Sequence, residues 1–200
     1  MIKILNQKPY FDNMKIGRLL NHVFLLFMLT NCGSRKSEVE LFSEQVLFNQ
    51  LQELISSKSF YFSAEAAFPM QSNYIVAVSN ALLSPIGSNG VRQQLSSNDD
   101  FLKINNDSVS GKLSYFGELR VANYNDSRDA NVEFEGYPYY FKIIENEKKK
   151  TITVKFKIKS NSEDFNVSLV VFLNKTSKLL VLGSSRTAIR YEGKVKPLKK

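Results

Sequence analysis

"TITVKFKIK", Thr151 to Lys159, decides the fold class. Ile152, Val154, Phe156 and Ile158 alternate with Thr153, Lys155, Lys157 and Lys159. Successive side chains of an extended strand point to opposite faces, so this stretch has one apolar face and one wet one. That is the signature of a half-buried antiparallel strand. Downstream, "FNVSLVVFL" (Phe165 to Leu173) and "KLLVLG" (Lys178 to Gly183) are more continuously apolar, as central strands are, with "SNSED" and "NKTS" as turns. Upstream, "FYFSAEAAF" alternates Phe60, Phe62, Ala64, Ala66 and Phe68. Further strands are expected at "FLKI", "SVSGKLSY", "ELRVANY", "NVEFEG", "YYFKII" and "TAIRYEGKV". Roughly nine strands with short connections predict a mainly β domain, an antiparallel meander closing as a barrel or sandwich. No internal repeat stands out.

Before the strands the period changes. In "SEVELFSEQVLFNQLQELISS", Ser37 to Ser57, Val39, Phe42, Val46, Leu47, Leu51, Leu54 and Ile55 recur at spacings of three and four, which predicts an amphipathic helix over 37–57. Ser37 and Glu40 are placed to form a capping box, each accepting a free N–H of the first turn. The apolar stripe is expected to cover the domain's own sheet. The β domain then occupies 58–200.

The region before the helix reads as an address. Lys15 and Arg18 precede the apolar run "VFLLFML", Val23 to Leu29, and a small-residue zone follows, which together make a secretory signal over 1–31. A spanning helix needs about 20 apolar residues, and this run is far shorter. Met14 begins a better-proportioned signal than Met1. "Leu29-Thr30-Asn31-Cys32" resembles the lipobox of bacterial lipoproteins, with Asn31 where Gly or Ala is usual. That resemblance implies a diacylglyceryl group on Cys32, cleavage just before it, and a short tether over 32–36. Several buried acyl chains, at about 0.8 kcal/mol per CH₂, hold a protein stably at a membrane.

Composition then excludes chemistry. The one histidine, His22, and the one cysteine, Cys32, both belong to this leader and its cut site. A chain beginning at Cys32 has no Ser-His-Asp triad, no Cys-His pair, no histidine zinc site and no internal disulfide. Nothing points to a cofactor or a metal. Carboxylates remain, and Asp99, Asp100, Glu118, Glu133 and Glu135 are the candidates from which glycoside hydrolysis would draw a pair. The acidic spots "SNDDF" and "YNDSRDAN" lack the spacing of a calcium loop and read as turns. The net charge of +8 falls to +5 without 1–31, where Lys3, Lys8, Lys15 and Arg18 outweigh Asp12. The excess collects in "NEKKKT" and "GKVKPLKK", where lysines at a hairpin tip read first as solvated, with weak attraction for anionic head groups as the alternative and no sign of a nucleic-acid platform.

Four stretches carry a family resemblance: "FYFSAEAAFPM", "VRQQLSSNDDFLKINNDSVSGKLSYFGEL", "VEFEG" and "SSRTAIRYEGKV". In order and spacing they resemble a family of exported bacteroidetes proteins, the domain of unknown function DUF4251, over about residues 58–195. Phe60, Phe62 and Ala64 match its Phe-x-Phe-x-Ala opening, and Arg92 to Leu95 loosely match an Arg-x-Leu step. Asp107 and Leu113 to Gly117 match an Asp followed by Leu-Pro-Tyr-Phe-Gly, with Ser114 replacing the proline. Arg186, Ile189, Tyr191 and Gly193 match the closing Arg-x-x-Ile-x-Tyr-x-Gly. The resemblance implies export, lipidation and a β-rich domain, and it brings no activity, cofactor or catalytic residue. "Asp107-Ser108-Val109" resembles an Asp-Ser/Thr-apolar acceptor motif, which would make Ser108 an O-glycosylation site; a turn entering a strand is the reading that ranks above it.

Phe116-Gly117 reads as an aromatic at a tight turn, where glycine adopts a conformation other residues resist. Tyr115, Phe116, Tyr137, Tyr139 and Tyr140 read either as core or as a surface groove for sugar, lipid or peptide. The expected function is a non-catalytic binding or structural module of unknown molecular activity. It would be held by Cys32 at the periplasmic face of the outer membrane, with an envelope protein, glycan or lipid as partner. The alternatives are a carboxylate-dependent glycan hydrolase, or a lipid carrier if the barrel is hollow.

Overall fold

The alternation of Thr151–Lys159 survives residue by residue: Ile152, Val154, Phe156 and Ile158 are buried, and the residues between them are partly or fully exposed. This strand belongs to a ten-stranded sheet in the computed structural model, which describes residues 37–70, 92–96, 99–120, 131–160 and 163–198. One helix, α1 (Glu38–Ser56), precedes β1 (Ser59–Pro69), β2 (Gln93–Gln94), β3 (Phe101–Asn105), β4 (Ser108–Ser114) and β5 (Asn131–Gly136). Then come β6 (Tyr139–Asn146), β7 (Thr151–Lys159), β8 (Asp164–Phe172), β9 (Thr176–Gly183) and β10 (Ile189–Pro197). The order across the sheet is β5-β4-β3-β1-β10-β9-β8-β7-β6, and β2 pairs with β1 off this path. All of these pairings are antiparallel, and the sheet curls into a half-barrel around one core.

The chain divides into two compact units, 1–40 and 41–200. Of the first, Ser37–Glu40 is described, and it holds the capping box: Glu40 N–H donates to Ser37 Oγ at 3.2 Å, and Ser37 N–H donates to Glu40 Oε2 at 3.1 Å. The remaining features lie in the second unit.

The sheet closes through a switch of partners. β5 pairs with β4 at one end of the sheet and β6 pairs with β7 at the other, yet only Tyr137 and Pro138 separate them in the chain. The two edges therefore meet at a seam, where Gly136 takes a φ of +144°. Across it the Phe134 and Phe156 rings pack edge to face at 6.2 Å, and Ser160 Oγ donates to the Glu133 carbonyl at 3.0 Å. Beside β6 lies α1. Gln52 donates to Glu145 at 2.6 Å, Lys150 donates to Gln45, and the Lys58 ammonium stands 5.3 Å from the Phe141 ring centre.

The helix buries a different line of residues from the expected stripe. Phe48, Leu51 and Ile55 enter the core, and Leu54 packs against it, whereas Phe42, Val46 and Leu47 are exposed, as is Val39. At 3.6 residues per turn, Phe42 and Val46 project from the side opposite Phe48, Leu51 and Ile55. The spacing of three and four therefore merged two stripes into one. Burial of each of the three large side chains contributes about 1.5–3 kcal/mol.

β1 departs from strict alternation for a similar local reason. Its register against β10 slips between Ala64 and Ala66, leaving Glu65 as an extra residue. Beyond the bulge the faces exchange, so Ala67 is buried and Phe68 turns outward beneath the Arg190 guanidinium at 4.7 Å. The partner on the other side changes there too, from β3 up to Ser63 to β2 at Ala66 and Ala67. β8 and β9 each bury one face only; Val170 and Leu180 on the outer face are half-buried and Leu182 is exposed. Within the "ELRVANY" stretch, Leu119 makes a single bridge to Arg186, and Val121 to Tyr124 lie outside the described residues, as does most of "YNDSRDAN".

The interior is packed. Phe60, Phe62, Leu102, Leu113, Leu169 and Tyr191 are each 0% exposed, so no water-sized void adjoins them. Gly193 faces the β1 bulge, where a Cβ would collide with the Ser63 carbonyl oxygen and meet Ala64 Cα at 2.9 Å. Both are backbone atoms and cannot turn aside. Gly193→Ala is expected to cost about 2–3 kcal/mol or more, measured by urea unfolding of the full chain.

Candidate functional site

The family-like motifs of "LSYFG" and "SSRTAIRYEG", distant in sequence, meet at one end of the half-barrel. Leu119 bridges to Arg186, Arg120 N–H donates to the Ser185 carbonyl at 2.8 Å, and Thr187 N–H donates to the Glu118 carbonyl at 2.9 Å. Between these backbones sits a buried charge pair. Arg186 Nε and Nη2 both reach Glu163 Oε1, with the two side chains 3% and 2% exposed. Arg186 Nη1 donates to the Asn131 carbonyl at 3.1 Å, and Glu163 Oε2 accepts the Ser185 N–H at 3.1 Å. The guanidinium lies 4.7 Å from the Tyr115 ring centre and 5.6 Å from that of Phe165. Two charges in a dry interior persist only when their hydrogen-bonding positions are filled, and here they are tied to β5, β8 and the approach to β10.

Tyr115 extends the network. Its hydroxyl lies 2.8 Å from Thr187 Oγ1, 2.9 Å from the Glu118 carbonyl and 3.0 Å from the Thr187 carbonyl. Burial raises the pKa of this phenol, against the lowering effect of its Thr187 hydrogen bonds and of Arg186. Gly117 does not take a left-handed conformation; a Cβ there would overlap the Tyr115 hydroxyl and Thr187 Oγ1. The glycine is needed for space, not for φ. Next to it, Ser114 N–H donates to the Asp100 carboxylate, and Tyr191 donates to the Ser114 carbonyl at 2.9 Å. A proline at 114 has no N–H to give, so this departure from the family pattern goes with a bond of its own.

The five aromatics separate into two groups. Tyr115 is half-buried in the network, with Phe116 on the surface beside it. Tyr137, Tyr139 and Tyr140 lie at the seam and are 81%, 41% and 69% exposed. The rings of Tyr139 and Tyr140 are 5.4 Å apart, and the Lys157 ammonium stands 5.3 Å from the Tyr140 ring centre. Tyr140 holds a φ of +55° in the bulge between Tyr139 and Lys142. Left-handed backbone at a bulky residue costs about 1–2 kcal/mol and marks a position worth explaining. Bulge and φ are invisible to a reading of residue types; the run Tyr137-Pro138-Tyr139-Tyr140 was the available signal.

The carboxylate candidates lie on three segments, and Glu133 and Glu135 share the exposed face of β5. Asp100 is buried and engaged by Ser114, and Glu118 follows the Gly117 turn. Glu133 faces Lys112 at 3.8 Å on the outer face of β5, Glu135 is exposed two residues on, and Asp99 lies in the turn before β3. Among the described residues no three Asp, Glu, His or Cys side chains gather for a metal ion. Ser108 opens β4 with its hydroxyl donating to the Asn105 carbonyl at 3.0 Å, and Asp107 beside it is exposed, 3.6 Å from Lys58. Cys32 lies outside the described residues.

A family model, "Domain of unknown function (DUF4251)", matches residues 43–195. A solved crystal structure of a DUF4251 family protein from Bacteroides eggerthii DSM 20697 is similar in fold, with a TM-score of 0.52 at 12% identity. The match covers 76% of this chain and 88% of that one. No curated protein matches.

Two predictions test the buried network. Arg186→Met strands the Glu163 carboxylate and is expected to cost about 3–5 kcal/mol, while Arg186→Met with Glu163→Leu recovers much of the loss in urea unfolding. Burial raises the Tyr191 pKa well above 10, Asp100 adds to the rise and Arg186 opposes it. A folded pKa above the unfolded one gives stability that is complete below about pH 10 and is lost as pH climbs through the folded value. Stability measured from about pH 8 to 11 should therefore fall at the alkaline end, and Tyr191→Phe should fall less steeply.

Proposed function

We propose that this chain, which belongs to the DUF4251 family, is an exported, lipid-anchored envelope protein whose domain is a non-catalytic binding module. The observation that carries this reading is the seam. Tyr137, Tyr139 and Tyr140 stand exposed together on a strained backbone, beside the cation of Lys157. Amphipathic rings in such a cluster suit the face of a sugar or the apolar edge of an envelope component. The buried polar groups, in contrast, are occupied in holding the fold.

The anchor is Cys32, acylated after cleavage of 1–31, and the setting is the periplasmic face of the outer membrane. No described helix is long and apolar enough to cross a membrane. Phe42 and Val46, exposed on the helix that follows the tether, suit a position near an interface. The partner is an envelope protein, glycan or lipid.

Native mass spectrometry of the full-length chain, extracted from its own envelopes in mild detergent, tests both halves. The expected species begins at an acylated Cys32 and carries a companion. Tyr137→Ala with Tyr140→Ala should keep the acyl mass and lose the companion. A chain still carrying residues 1–31 overturns the anchor, and a companion retained by the double variant overturns the seam as its site.

A further inference from the structure

A second surface feature lies away from the seam, and its reading does not depend on the anchor. The β6–β7 turn carries Lys148, Lys149 and Lys150, and the β8–β9 turn carries Asn174 and Lys175. Antiparallel order brings these turns to the same end of the sheet, because Thr151 pairs with Phe172 and Val171 with Ser177. Between them is an open groove of about 490 Å³, bordered by Lys149, Lys150 and Lys178, with Phe172, Leu173 and Thr176 among its walls.

The lining residues include three lysines and neither Asp nor Glu. Two of the three are positioned in advance. Lys150 donates to Gln45 of α1 and lies 4.9 Å from the Phe48 ring centre. Lys178 lies 6.0 Å from the Phe172 ring centre and 3.7 Å from Glu192, an exposed pair that screens it only in part. Lys149 is exposed at the mouth. Lys148 and Lys175 add positive charge at the rim, against Glu147 in the same turn. Thr176 Oγ1 donates to Asn174 Oδ1 at 2.7 Å, which commits its proton within the turn.

We propose that this groove binds a phosphate group. Lysine binds phosphate as a point charge, and lysines bordering one concavity favour a compact, multiply charged anion over a single carboxylate. Phe172 and Leu173 supply an apolar wall for whatever carries that phosphate. The same chemistry is presented by free phosphate and by the headgroup of an anionic phospholipid.

The test uses the full-length chain in neutral dodecyl maltoside micelles, followed by backbone amide NMR. One arm adds inorganic phosphate, and the other dopes the micelles with phosphatidylglycerol. The expected result is a set of shifts confined to 149–151 and 172–178, fading as salt rises past about 0.15 M. Lys149→Glu with Lys178→Glu should weaken the response about tenfold or more, while the charge-matched Lys112→Glu with Lys155→Glu retains it. A response to inorganic phosphate identifies a small-phosphate site, and a response to the lipid alone identifies a headgroup site. No response in either arm, or equal loss in both double variants, overturns the proposal.

Discussion

A curled antiparallel sheet has two edges, and an unpaired edge exposes a row of backbone donors and acceptors that invites other chains. This molecule meets that constraint with one short segment. β5 completes one edge, β6 begins the other, and Gly136-Tyr137-Pro138 carries the chain between them. Phe134 and Ser160 tie the seam from inside and outside, and α1 lies beside β6 where the curl stays open. The core depends on that closure. Phe48, Leu51 and Ile55 are dry because the curl brings β6 and β7 around to the helix.

The second support is polar. Arg186 and Glu163 join three strands at the opposite end, and Tyr115, Thr187, Ser114, Asp100 and Tyr191 continue the chain of contacts. Replacing both members of such a pair with apolar residues often costs little, whereas removing one strands a charge. Of the positions that match the family pattern, Tyr115, Arg186 and Tyr191 belong to this network, and Gly117 and Gly193 stand where a Cβ would collide. Each has a structural task, in hydrogen bonding, in space for a hydroxyl, or in clearance for a neighbouring backbone. The pattern thus describes how the fold is held, and the exposed tyrosines and lysines lie elsewhere.

Legibility in the sequence followed how local each determinant is. β7 was readable because its burial follows a strict period of two, and the capping box because Ser37 and Glu40 are three residues apart. In β1 the reading failed after Ala64, since one extra residue reverses every later side chain and nothing in "SAEAA" marks it. On α1, apolar residues on two opposite faces gave spacings that one face would also give. For Gly117 the residue type suggested conformation, and the actual cause is a hydroxyl from Tyr115 and another from Thr187, seventy positions along the chain. The tyrosine group was split in the same way, by a pairing of distant segments that no local pattern records. The groove at 149–178 was visible only as a charge run, because its walls come from two separate turns.

The pairing of β1 with β10 has a kinetic consequence. Phe60 lies against Pro197 and Phe62 against Val195, so the middle of the sheet joins residues near opposite ends of the described chain. β7, β8 and β9 are linked by short turns and can associate as soon as they exist. β1 meanwhile has β3 and the short β2 on one side and waits for the last strand on the other. Contacts of such wide sequence separation carry their loop-closure entropy before any reward, and domains dominated by them fold in about milliseconds to seconds. Until β10 arrives, the apolar face of β1 and its unpaired edge stay open together, and that interval is when the chain is most prone to associate with the wrong partner.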